Sequence, residues 1–133
     1  MKTKNQIRGK RSKISGQKFE RLVRKDLEEN GWIVSKWMNQ VDIKLGKLIP
    51  AKQGIFRLTS TGFPDFLAYE KLNGKSSIVG YEVKSRGYLD KEEKEKCSWL
   101  LKNKIFSEIW IASKDKKQRG KIIYKEFEKE TKK

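Results

Sequence analysis

Two stretches decide the fold: Gly62-Phe63-Pro64-Asp65-Phe66-Leu67-Ala68-Tyr69 and Ser77-Ile78-Val79-Gly80-Tyr81-Glu82-Val83-Lys84. Residues 66–69 form a short apolar run introduced by Gly62 and Pro64, and residues 77–84 a second run rich in β-type residues, so both read as strands. The intervening residues 71–76 carry Asn73-Gly74, a turn signal, which leaves the two strands close enough to pair as an antiparallel hairpin. Side chains alternate along a strand, so Glu82 and Lys84 share a face, roughly 6.6 Å apart from the rise per residue. Val79, Tyr81 and Val83 then face a core. Asp65 opens the first strand, and hairpin pairing allows it to fall beside Glu82.

Outward from this hairpin, residues 15–30 read as a helix, with Phe19, Leu22, Val23 and Leu27 at helical spacing. Ser15 is the expected N-cap and Asn30-Gly31 the stop. Glu20 sits at the edge of the apolar stripe, where an acid needs a partner such as a metal or a lysine, unless it is an ordinary rim carboxylate. Asp26 also falls within the stripe, which makes the pattern imperfect. Residues 32–37 read as a strand, whereas residues 39–60 fit either a β-hairpin or a long irregular loop. Residues 90–102 form a second expected helix with a capping-box start, Asp90 followed by Glu93. Its inner face is Cys97, Leu100 and Leu101, with Trp99 near one edge. Residues 108–112 and 121–127 complete the strands. The order α-β-(loop)-β-β-α-β-β predicts an α/β fold: a single domain with a mixed central β-sheet flanked by helices. Residues 1–14 read as a basic flexible arm, 15–127 as the folded domain and 128–133 as a charged tail.

The 133 residues hold 33 Lys plus Arg against 17 Asp plus Glu, a net charge of +16 with no His. One sign outnumbers the other two to one. A solubility surface or thermophile-like charge enrichment does not explain that, and a polyanion such as nucleic acid is the partner it points to. The arm contributes Lys10, Arg11 and Lys13 as candidate phosphate contacts. The absence of His excludes Ser-His and Cys-His pairs and His-ligated metals. The single Cys excludes a disulfide framework, and Cys97 reads as a small buried hydrophobe. Any metal is therefore expected on oxygen ligands. No apolar run is long enough to span a membrane, and the basic N-terminus is unlike a secretory signal, so a cytoplasmic setting is expected, cellular or viral.

Chemistry concentrates at Glu20, Asp65 and Glu82-Val83-Lys84. Two neighbouring carboxylates repel unless a cation lies between them, and two acids with backbone carbonyls and waters make a workable Mg²⁺ site. A lysine beside it orients or deprotonates a water. The alternative is a solvent-face ion pair between Glu82 and Lys84, worth ~0–1 kcal/mol.

These residues resemble the PD-(D/E)XK nuclease superfamily, and within it the archaeal-type Holliday junction resolvases and virus-type replication-repair nucleases. The resemblance rests on Gly16-Gln17-Lys18-Phe19-Glu20, Gly62-Phe63-Pro64-Asp65-Phe66-Leu67-Ala68 and Tyr81-Glu82-Val83-Lys84-Ser85, and covers about three quarters of the chain. It implies an αβββαβ restriction-endonuclease-like core. It implies a Mg²⁺-dependent DNA endonuclease, with Mn²⁺ as a substitute ion. Branched DNA such as a Holliday junction is the implied substrate, cut by a homodimer. In that scheme Asp65, Glu82 and the Val83 carbonyl bind the metal, Glu20 a second metal or a metal-bound water, and Lys84 the attacking water, as base or as cation. Glu93 stands where related nucleases often carry Gln. Flap, end or nick cleavage, a restriction-like activity and a non-catalytic basic binder are the rival readings.

Further candidates for DNA contact are Ser60 and Thr61 before the Pro-Asp, and Arg57 and Arg86 flanking the site; each is also an ordinary turn or surface residue. Trp32, Trp37, Trp99 and Trp110 offer stacking faces, but their place in strand and helix patterns favours core packing.

Overall fold

In the computed structural model, residues 4–51, 62–70 and 78–128 are described, with side chains from residue 16 onward, Glu70 excepted. The helix α1 (Lys4–Glu29) is followed by strand β1 (Trp32–Lys36), a hairpin of β2 (Asn39–Asp42) and β3 (Lys47–Pro50), then β4 (Phe66–Glu70) and β5 (Val79–Val83). Helix α2 (Lys91–Lys102), β6 (Glu108–Lys114) and β7 (Ile122–Glu126) complete the chain. Five strands form one sheet in the order β1-β4-β5-β6-β7, and β2 and β3 pair separately. Only β5 and β6 run parallel, joined through α2, so the sheet is mixed. The expected α/β class, the single domain and the mixed sheet flanked by helices all hold. No helix among the described residues is long and apolar enough to cross a membrane.

Each face of the sheet is covered by one helix. Phe19, Val23 and Leu27 of α1 pack on Val34, Phe66, Ala68, Val79, Tyr81 and Ala112. Cys97 and Leu100 of α2 pack with Ile109, Phe106, Phe63 and Val41 on the other face. The hairpin β2–β3 thus joins the second core through Val41, which settles the ambiguous residues 39–50 as a hairpin; residues 52–61 lie outside the described residues, as do residues 71–76, where a turn is expected.

Two expectations about α1 are corrected. α1 begins at Lys4 rather than at Ser15, so Ser15 lies inside the helix and the backbone of 4–14 continues it. The upstream Lys, Arg and Gln are good helix formers, and a potential cap stops nothing when such residues precede it. Leu22 is exposed although it shares the helical spacing, because the sheet meets only the stripe through Phe19, Val23 and Leu27. Asp26, the acid in that stripe, accepts the Tyr124 hydroxyl at 2.6 Å and is thereby satisfied at the sheet edge. The four tryptophans pack against the two cores.

Candidate active site

The hairpin register decides the site. Phe66 pairs with Tyr81, Leu67 with Gly80 and Ala68 with Val79, so one step further Asp65 stands opposite Glu82. Beyond that point β4 offers no ladder partner to β5. The Asp65 carboxylate takes its place, its Oδ2 accepting the Val83 N–H at 2.7 Å. A residue's carbonyl leaves a strand on the same side as its N–H, so the Val83 carbonyl also faces this end of the hairpin.

The approach to Asp65 is clamped by backbone contacts. The Phe63 N–H donates to the Asn39 carbonyl at 2.9 Å, and the Trp37 N–H donates to the Asp65 carbonyl at 3.1 Å. Gly62 makes this contact possible: a Cβ there would sit 2.2 Å from the Trp37 carbonyl oxygen. The Phe63–Pro64 bond is cis. Asp65 is thus held by its neighbours on both sides rather than by its own side-chain packing.

Glu82 is 4% exposed and is the one buried charged residue among the described residues. It lies on the α2 face of the sheet, opposite the face that takes Tyr81. Burial raises its pKa well above the usual carboxylate range, and a hydrogen bond with Asp65 and the Asp65 charge push the same way. Lys84 opposes this only in part, and Glu93 adds to the rise. Two carboxyl groups this close repel when both are charged, and burial adds to the cost. Glu20, half-buried on α1, is also raised, first by burial and then by the Asp65 charge, with Lys36 opposing. Glu20 therefore lies within electrostatic reach of Asp65.

The Glu82–Lys84 surface ion pair is not what forms. Glu82 is buried, and the Lys84 ammonium pairs instead with the Glu93 carboxylate. Glu93 works with both oxygens: Oε1 accepts the Asp90 N–H at 3.0 Å in the capping box of α2, and Oε2 meets Lys84. Burial alone would lower the Lys84 pKa, but the bond to Glu93 and the charges of Glu82, Glu93 and Asp65 outweigh it and raise it. Lys84 is therefore a cation here, and acting as a base requires a further positive charge beside it. Cys97, one helical turn beyond Glu93 on α2, is fully buried; its thiol is pushed up to about 12 by burial and by the charges of Glu82 and Glu93. It is a packing residue.

Sequence reasoning missed two members, Glu93 as the partner of Lys84 and Lys36 as the cation facing Glu20. The capping-box pattern announced the position of Glu93 but not its second oxygen's partner. Arg86 is exposed in the turn just after β5, close in sequence to Lys84. Arg57, Ser60 and Thr61 lie outside the described residues, as do the side chains of Lys10, Arg11 and Lys13, whose backbone belongs to α1.

No three acidic or thiol side chains among the described residues form a metal-holding cluster. The donors available are two carboxylates, Asp65 and Glu82, with the Val83 carbonyl at the strand end. Few hard oxygen ligands suit Mg²⁺, which takes one or two carboxylates and keeps several waters.

The chain matches no protein-family model, no curated protein and no solved structure.

Proposed function

We propose that this protein is a Mg²⁺-dependent endonuclease of the PD-(D/E)XK type that cuts DNA, with branched DNA such as a four-way junction as its substrate and a homodimer as its working form. The observation that carries the reading is the meeting of Asp65 and Glu82 at the end of the β4–β5 hairpin, with Lys84 two residues on. The order α1-β1-β4-β5-α2-β6 supports it as an αβββαβ restriction-endonuclease-like core, into which the β2–β3 hairpin is inserted.

Asp65, Glu82 and the Val83 carbonyl would hold Mg²⁺, which would supply Lewis acidity and activate water at neutral pH. The chain supplies the rest. Asp65 accepts the Val83 N–H, which sets the direction of its carboxylate. Lys84, held by Glu93, is a preorganised cation for the negative charge that develops on the attacked phosphate. Glu20 lies near enough to Asp65 to orient a water or hold a second ion. The net charge of +16 draws the phosphate backbone toward an otherwise acidic pocket. Paired cuts on opposite strands need two such pockets, which a homodimer provides.

A Mg²⁺ cleavage assay over a junction, a flap, a nicked duplex, single-stranded DNA and RNA tests the reading. Cleavage of the junction is expected, together with its loss in Asp65→Ala and Glu82→Ala while DNA binding persists. Wild-type cleavage rates in both variants would place the chemistry elsewhere. Binding without cleavage of any substrate would mark a passive nucleic-acid-binding protein.

A further inference from the structure

The loop between β5 and α2 holds a feature that the acid pair does not use. Tyr88 is 69% exposed, the largest value among the exposed large hydrophobic residues described. Its neighbour Leu89 turns inward against the α2-side core, so the loop is anchored immediately beyond Tyr88. It is anchored before Tyr88 as well. The Gly87 N–H donates to the Lys84 carbonyl at 2.8 Å, and the Lys114 N–H donates to the Ser85 carbonyl at 3.2 Å. Gly87 itself has φ +83° and lies against Ser113, so the turn is tight and pressed onto the end of β6. Tyr88 is therefore presented outward from a braced turn.

The ring lines an open cleft of about 430 Å³ that it shares with Lys84, Arg86 and Glu93. Lys84 is thus common to this cleft and to the acid pair. The cleft also lies where β5 and β6, the parallel strands, end, which is the side on which ligands bind in α/β sheets. The Lys116 ammonium stands 5.9 Å from the Tyr88 ring centroid. The acids in the cleft are already engaged: Asp90 caps α2, and Glu93 is divided between that cap and Lys84. The charges left to meet a ligand are those of Arg86 and Lys116.

We propose that Tyr88, Arg86 and Lys116 form a nucleotide platform: an unpaired nucleobase beside the cut site stacks on the Tyr88 ring, and Arg86 and Lys116 take its flanking phosphates. An exposed aromatic ring between cations is the combination that binds single-stranded nucleic acid without regard to sequence, because every base has a stacking face. At a branch point the continuous stack of the duplex is interrupted, so a base there can be drawn onto a competing stacking surface. The statement that the base lies beside the cut site rests on the nuclease reading above; the platform itself does not.

The test uses the full chain and a four-way junction carrying 5-iodouracil next to the branch point. Photocrosslinking is done in EDTA, so that no cleavage is needed, and affinities and single-turnover cleavage in Mg²⁺ are measured for Tyr88→Ala, Tyr88→Phe, Arg86→Ala and Lys116→Ala. The crosslink is expected on Tyr88. Tyr88→Ala should bind roughly 5- to 100-fold more weakly, a loss that persists at high salt, while Tyr88→Phe stays within about twofold of wild type. The Arg86→Ala and Lys116→Ala losses should shrink as salt rises. A crosslink elsewhere with full affinity in Tyr88→Ala overturns the platform, whether or not the protein cuts DNA. A Tyr88 crosslink with no substrate cut leaves the platform standing and removes the nuclease reading. Wild-type protein that binds no DNA overturns both.

Discussion

Glu82→Gln tests the site without a substrate. The change keeps shape and lets the new amide N–H donate to Asp65, but it removes the carboxyl group whose charge burial disfavours. Because burial and Asp65 raise the folded-state pKa of Glu82 above its unfolded value of about 4.3, the sign is set. Its favourable contribution is complete below that unfolded value and is lost as pH rises through the folded pKa. Wild type is then penalised relative to Glu82→Gln, and the penalty levels off once Glu82 is ionised in the folded chain. Each tenfold difference in proton affinity between the two states is worth about 1.4 kcal/mol. At about 3–5 °C per kcal/mol for a chain of this size, each such tenfold difference corresponds to about 4–7 °C in Tm.

Thermal melts by circular dichroism in EDTA, from about pH 4 to about pH 8, read this directly. The variant and wild type should melt together at the acid end, and the variant should melt higher at the alkaline end. Mg²⁺ should narrow or reverse the gap, because an ion present at tenfold its Kd adds about 1.4 kcal/mol to the form that binds it. A Tm difference that does not change with pH would refute the buried-charge argument. Equal Mg²⁺ stabilisation of both proteins would place the ion away from Glu82.

Other consequences are equally direct. Glu93→Ala should cost about 1 kcal/mol through the α2 capping box, read by thermal melts, whereas Glu93→Gln should keep the cap and lose only the charge pairing with Lys84. Gly62→Ala should destabilise by about 1–3 kcal/mol in denaturant titration, since its methyl group would meet the Trp37 carbonyl at 2.2 Å. Cys97, with its thiol pushed up to about 12, should resist alkylation near pH 8 in the native protein and react at once in denaturant, as followed by mass spectrometry.

Local chemistry was legible in the residues alone. The Asp90–Glu93 capping box, the strand at Phe66, and the pairing that sets Asp65 opposite Glu82 each depend on spacings of a few residues or on one hairpin turn. Alternation along β5 separated Glu82 from Val83 because that period is a property of any strand. The start of α1 was not legible, since good helix formers upstream of Ser15 override a cap signal. Residues 39–50 were open between hairpin and loop until Val41 found the α2-side core. Contacts between elements distant in sequence decided the rest. Tyr124 satisfies Asp26 across the sheet, and Lys36 opposes the rise of Glu20. Both faces of β5 are covered, one by α1 and the other by α2, and the cover by α2 turns Glu82 from a surface acid into a buried one. Local spacing is enough to place Asp65, Glu82 and Lys84 in or beside β4 and β5. The pairing of Lys84 with Glu93 rather than Glu82 comes from the packing of α2 on the sheet, because burial and charge are properties of the packed layers and not of spacing along a strand.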